Sequence, residues 1–241
     1  MKRRPEAILF DLDDTLISFA GVILKAWETC CAAFLQAHAL PVALPELLRQ
    51  LGETRKWYWG DPARHKAGRE NIRQARREVV AKALRALGIQ DDTLAIELAD
   101  QYSDYHHSLV HLYPQTVPVL KALRRSGYRL GLITNGSSKG QREKLSRFGL
   151  AQYFEIILID QEVGFGKPDP RIYEHAGKLL GIGYEGLWMV GDNLVWDIQP
   201  PKSLGIYAVW HDYKHTGLPP DAPAVPDAVI RYIGELLSLL P

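Results

Sequence analysis

Four short polar clusters carry the groups able to do chemistry in this 241-residue chain. The first sets two carboxylates two residues apart, Asp11 and Asp13, directly after the apolar run Ala7–Phe10. The second is Thr134-Asn135-Gly136, the third Gly166-Lys167-Pro168-Asp169-Pro170, and the fourth Gly191-Asp192-Asn193 followed by Asp197. Carboxylate oxygens suit a hard divalent cation such as magnesium, which keeps several waters and leaves room for an anionic oxygen. A hydroxyl, backbone amides and a lysine ammonium form the complementary set for charge on such an anion. A carboxylate in this setting can also act as a nucleophile, and a second one beside it as acid and base.

Rigid elements must bring these clusters together. The first, second and fourth each follow a short apolar run rich in β-formers, at 7–10, 128–133 and 187–190, and similar runs occur at 156–159 and 206–210. Each is too short for a helix, and helical stretches separate them, which predicts an α/β fold with a mostly parallel sheet. In open parallel sheets ligands bind beyond the carboxyl ends of the strands, where these polar clusters fall. The interval 17–112 holds no comparable run and is rich in Ala, Leu, Arg and Glu, so it reads as inserted helices. Helical spacing predicts 22–39, 70–87 and 93–109 there, with Pro41 and Gly88 as breaks. Further helices are expected over 117–125, 140–148, 170–180 and 234–240. Pro219, Pro220, Pro223 and Pro226 predict a loop over 215–227.

Composition narrows the partners. With 29 basic against 28 acidic side chains, the chain lacks the basic excess of a protein that works on polyphosphate backbones, so no nucleic-acid partner is expected. No window approaches the roughly 18 uncharged apolar residues of a membrane span. The start, 1–5, is basic, but only four apolar residues follow before Asp11, and a cytoplasmic location without a signal segment is expected. Cys30 and Cys31 are adjacent, a spacing poorly suited to a normal disulfide, and read as buried thiols.

Taken together and in order, Asp11-Leu12-Asp13-Asp14-Thr15-Leu16, Ile133-Thr134-Asn135-Gly136, Gly166-Lys167-Pro168-Asp169-Pro170 and Gly191-Asp192-Asn193 with Asp197 resemble the four motifs of the haloacid dehalogenase (HAD) superfamily. The resemblance runs from residue 7 to about 210. It implies a Rossmann-like parallel-sheet core of residues 1–16 and 113–241, with an α-helical cap domain, 17–112, inserted after the first motif. It also implies a magnesium-dependent phosphatase acting on a small phosphorylated metabolite. Asp11 would attack phosphorus and form an aspartyl phosphate, while Asp13 would protonate the leaving alkoxide and later take a proton from water. Asp11 and Asp192 would hold Mg2+ through their side chains and Asp13 through its backbone carbonyl. Thr134, Asn135, Gly136 and Lys167 would bind the transferring phosphoryl group, and Asp197 would orient Lys167 or a metal-bound water.

Other members of the superfamily bound this reading. Dehalogenases lack the acid that Asp13 supplies. A phosphomutase of the β-phosphoglucomutase type shares all four motifs and stays open. A non-catalytic protein that binds a phosphorylated ligand is expected to have lost one of Asp11, Asp13, Lys167 or Asp192, and all four are present. The chain departs from the family after Asp197, where Ile198-Gln199-Pro200-Pro201-Lys202 replaces a common Gly-Ala helix start.

Inside the insertion, 55–62 mixes cations with Trp57, Tyr58 and Trp59, which either stack a base or sugar or pack the small helical core. Arg69, Arg73, Arg76 and Arg77 have the spacing of one side of a helix, read as a solvated face from which one or two residues meet the leaving group. His107 and His111 are spaced i, i+4 without an accompanying Glu, and a surface or hinge role is expected over zinc binding.

Overall fold

The computed structural model describes residues 4–241; the first part of the basic start, 1–3, lies outside them. The chain forms two compact units, one made of the residues up to Ser18 with His111–Pro241, the other of Phe19–Val110. The first unit is built on a six-stranded sheet. Its strands are β1 (Ala7–Phe10), β4 (Arg129–Thr134), β5 (Ile156–Ile159), β6 (Leu187–Gly191), β7 (Tyr207–His211) and β8 (Ala228–Ile230). A separate two-stranded antiparallel ladder joins β2 (Ile17–Ser18) to β3 (His111–Leu112). The sheet order is β5-β4-β1-β6-β7-β8, and every neighbouring pair is parallel. All of β1 and all of β6 is buried, as expected of central strands covered on both faces. The chain winds outward from β1 in both directions, so the crevice where such sheets bind ligands opens between the ends of β1, β4 and β6. The α/β fold with a parallel sheet that the strand runs predict, and the Rossmann-like core that the resemblance implies, are the ones observed. Strand β8 was not expected; three residues are too few for the alternation that marks a strand.

The second unit is helical throughout, with α1 (Ile23–His38), α2 (Leu44–Trp59), α3 (Pro62–Glu70), α4 (Ile72–Ala86) and α5 (Asp92–Leu109). It has its own core, in which Trp27 stacks on Tyr102 at 3.6 Å beside Phe34, Leu51, Val80 and Leu98. Helix α2 was not predicted; Pro45 lies in its first turn, where a missing N–H costs nothing. Asp61 caps α3 and Asn71 caps α4 through their side chains. Asn71 therefore separates Arg69 on α3 from Arg73, Arg76 and Arg77 on α4, and the four arginines do not share one helix. His107 and His111 do not share one either, since α5 ends at Leu109 and Val110 is extended. Tyr58 is buried in the helical core, while Arg64 and Lys82 lie 4.0 and 4.5 Å from the Trp57 ring.

In the first unit the sheet is covered by α6 (Thr116–Arg125), α7 (Ser138–Arg147), the short α8 (Asp160–Val163) and α9 (Arg171–Leu180), whose Ile172, Tyr173, Ala176 and Leu180 pack on β1, β4 and β6 residues. After β6 the chain makes one wide π-type turn, Leu194–Ile198, before α10 (Gln199–Ser203), which starts with its prolines in the first turn. The chain closes with α11 (Leu236–Leu239). No helix of the described residues is long and apolar enough to cross a membrane.

Candidate active site

Three strand ends supply the site. Asp11 follows β1, and its backbone N–H donates to the Val190 carbonyl of β6 at 2.9 Å, which fixes the turn that lifts its carboxylate out of the sheet. Asp11 Oδ1 accepts from Lys167 Nζ at 2.6 Å, and Oδ2 accepts from Thr15 Oγ1 at 3.1 Å. The same ammonium donates to Asp197 Oδ1, also at 2.6 Å. Lys167 is delivered by the loop before α9, and Asn135 holds that loop by a two-way clamp. Its Nδ2 donates to the Lys167 carbonyl at 2.6 Å and its Oδ1 accepts from the Lys167 N–H at 3.0 Å.

Asp197 reaches the cluster because the chain turns back sharply after β6. Asn193 Oδ1 accepts from the backbone N–H groups of Val195 and Trp196, starting the π-type turn, and Asp197 Oδ2 accepts from the Asn193 N–H at 3.0 Å. Gly191 makes this approach possible: a Cβ there would lie 2.3 Å from Asp197 Cγ. Gly166 does the same on the other side, since its Cβ would meet Asp160 Cβ at 2.2 Å and Asn135 Oδ1 at 2.5 Å.

Asp11, Asp192 and Asp197 each place one carboxylate oxygen within 4.8 Å of the others. Three buried or half-buried carboxylates thus face one ammonium, that of Lys167, which is 2% exposed. Burial pushes the Asp11 carboxyl up to about 7, and the negative charges of Asp197 and Asp13 add to the rise while Lys167 opposes it. Burial, with Asp11, Asp197 and Asp14 close by, raises Asp192 well above the carboxylate range. Burial also works against the Lys167 ammonium, but Asp11 and Asp197 outweigh it and hold its pKa above that of an ordinary lysine. An all-oxygen donor set with surplus negative charge fits a hard divalent cation, the kind of ion the sequence predicts.

The carboxylate of Asp13 lies outside this group. Lys144 Nζ of α7 donates to both of its oxygens, at 2.8 and 2.7 Å, and Gln141 Nε2 reaches Oδ2 at 3.1 Å. Thr134, 1% exposed at the end of β4, accepts at Oγ1 from the same Gln141 amide, which also donates to the Asn135 carbonyl at 3.0 Å. The Gly136 N–H is engaged, donating to Asp160 Oδ1 at 2.6 Å. Sequence reasoning missed Gln141, Lys144 and Asp160. The only signal for the first two was a glutamine and a lysine spaced i, i+3 on the apolar side of a highly charged helix.

A parallel sheet with a carboxylate cluster and one buried lysine at the ends of its central strands is the arrangement of a hydrolase class. The model of the haloacid dehalogenase-like hydrolase family matches residues 5–205, and the chain belongs to that family. It is similar to the glyceraldehyde 3-phosphate phosphatase of Methanopyrus kandleri, with 31% identity over 206 residues, 85% of this chain and 82% of that protein. It is also similar to the phosphoserine phosphatase of Thermus thermophilus, with 45% identity over 126 residues, 52% of this chain and 49% of that one. Among solved structures it shares its fold with the HAD hydrolase YfnB of Bacillus subtilis bound to magnesium, at a TM-score of 0.72 and 21% identity over 99% of both chains.

Proposed function

We propose that the chain is a magnesium-dependent phosphatase that hydrolyses a small phosphomonoester through an aspartyl phosphate on Asp11. The observation that carries this reading is the buried Lys167 ammonium, 2.6 Å from both Asp11 and Asp197, with Asp192 completing an oxygen cluster around the same point. Asp11 and Asp192 are the side-chain ligands of the cation, with the Asp13 carbonyl as a third; Asp197, part of the same cluster, holds Lys167. The magnesium ion supplies the positive charge that lets an anionic ester approach a carboxylate.

The chain's own groups do the rest. An Asp11 oxygen bonds to phosphorus as the phosphorus–oxygen bond to the leaving alcohol breaks, and Asp13 gives that oxygen its proton. Water then attacks the aspartyl phosphate and loses a proton to Asp13, releasing inorganic phosphate and restoring the Asp11 carboxylate and the protonated Asp13. Thr134 Oγ1–H and Lys167 bind the equatorial oxygens, where charge is spread during transfer. Asn135 acts through its clamp on the Lys167 loop, and Gly136 through the turn that Asp160 fixes. The helical unit Phe19–Val110 serves as the cap domain. The relatives named for glyceraldehyde 3-phosphate and phosphoserine point to small phosphomonoesters as the substrate class.

Phosphate release from a panel of such esters, with magnesium or with chelator, tests this reading on wild-type protein and Asp11→Asn. Release that needs both magnesium and Asp11 is expected. Release by Asp11→Asn at the wild-type rate removes the covalent mechanism, and transfer to a second hydroxyl of the substrate in place of water makes the protein a mutase.

A further inference from the structure

Helix α7 carries two side chains that converge on Asp13, and neither belongs to the four motifs. Lys144 Nζ lies 2.8 Å from Asp13 Oδ1 and 2.7 Å from Oδ2, and Gln141 Nε2 lies 3.1 Å from Oδ2. The pair is sheltered: the Lys144 side chain is 14% exposed, and Gln141 is buried at 2%. Both residues follow Thr134 closely in sequence, and the same Gln141 amide binds Thr134 Oγ1 and the Asn135 carbonyl.

We propose that Lys144, braced by Gln141, is a positioning residue that fixes the Asp13 carboxylate for proton transfer to the leaving oxygen. This rests on the acid/base reading of Asp13 above. A carboxylate has about four lone-pair directions, two on each oxygen. Among the described residues Oδ2 has two donors, Lys144 and Gln141, whereas Oδ1 has one. Oδ1 is therefore the oxygen that exchanges the proton, and Oδ2 is the anchored one. An aspartate on a loop has two free torsions; a bidentate ammonium from a rigid helix removes that freedom, and small misplacements of a catalytic group are costly in rate. Because Gln141 also holds Thr134, one helix sets the distance between the proton donor and a phosphoryl-binding hydroxyl.

The test compares kcat/KM for an alkyl phosphate, whose leaving group needs a proton, with p-nitrophenyl phosphate, whose leaving group does not. Asp13→Asn first checks the underlying reading and is expected to lose about 100-fold or more on the alkyl ester and far less on the aryl one. Lys144→Met is expected to lose about tenfold on the alkyl ester and little on the aryl ester. Lys144→Arg, which keeps the bidentate charge, recovers most of the loss, and Lys144→Met adds nothing in the Asp13→Asn background. Thermal melts of each variant confirm folding. Equal losses of Lys144→Met on both esters, or a full further loss in the Asp13→Asn background, overturn the positioning role while leaving Asp13 as the acid. Absence of ester discrimination in Asp13→Asn itself overturns both.

Discussion

Lys167 is the residue on which the electrostatics of the site turns. Its ammonium lies between two carboxylates at 2.6 Å with almost no solvent contact. Removing one partner of a buried ion pair leaves the others uncompensated and typically costs about 3–5 kcal/mol. Lys167→Met is therefore expected to lose about that much stability in urea unfolding at pH 8. The loss is smaller at pH 5, where Asp11, raised to about 7 by its burial, is already protonated. A loss at pH 8 below about 1 kcal/mol, the range of an exposed pair, shows that the lysine is not what balances these carboxylates. The motifs singled out Asp11, Asp13, Thr134, Lys167, Asp192 and Asp197 from sequence. They gave no hint that the Asp13 carboxylate is gripped by Lys144 and Gln141, because a helix read by its periodicity shows which side is apolar, not which distant loop a polar side chain will meet.

At the scale of elements, the end of β6 does the most to shape the site. The strand must stop at a residue without a side chain so that the π-type turn can fold Asp197 back against it. Gly191→Ala places a Cβ 2.3 Å from Asp197 Cγ, so the carboxylate must move. Overpacking of this kind costs about 1–3 kcal/mol. Displacing Asp197 from Lys167 is expected to lower phosphate release about 100-fold, the effect of a misplaced active-site group. Release unchanged from wild type removes Asp197 from the groups that set the geometry. The long amphipathic helices α1, α4 and α5 and five of the six strands of the sheet were legible in the sequence. Helices α2 and α3 were not predicted; of the two readings given for the aromatics at 57–59, the structure bears out core packing for Tyr58.

For the whole molecule, the proposed cation site would couple cation binding, protons and folding. In chelator, the folded Asp11 carboxyl has its pKa raised from 3.8 to about 7, so between those values the folded protein holds more protons than the unfolded one. Its contribution to stability then falls as pH rises through that window. A cation binding there must displace the proton, so on the proposed reading magnesium is expected to stabilise more at high pH than at low. Thermal melts with magnesium and with chelator are expected to differ more at pH 8 than at pH 5.5, and at pH 8 saturation near 100 times Kd is worth about 2.7 kcal/mol. The difference shrinks in Asp192→Asn. An equal magnesium effect at both pH values means that the carboxylate cluster is not the binding site.

What the sequence determined by itself was the parallel α/β core and the loops that carry its chemistry. Short apolar runs report burial, and in a parallel sheet the residues just beyond them have one place to go, the carboxyl edge. What the tertiary structure decided was which groups meet. Lys167 bridges to Asp11 across 156 residues and Lys144 to Asp13 across 131, and each pair depends on how a helix or loop packs against the sheet. Local pattern fixes the face of an element, whereas a hydrogen bond between distant side chains also needs the register and direction of two elements, which only packing supplies.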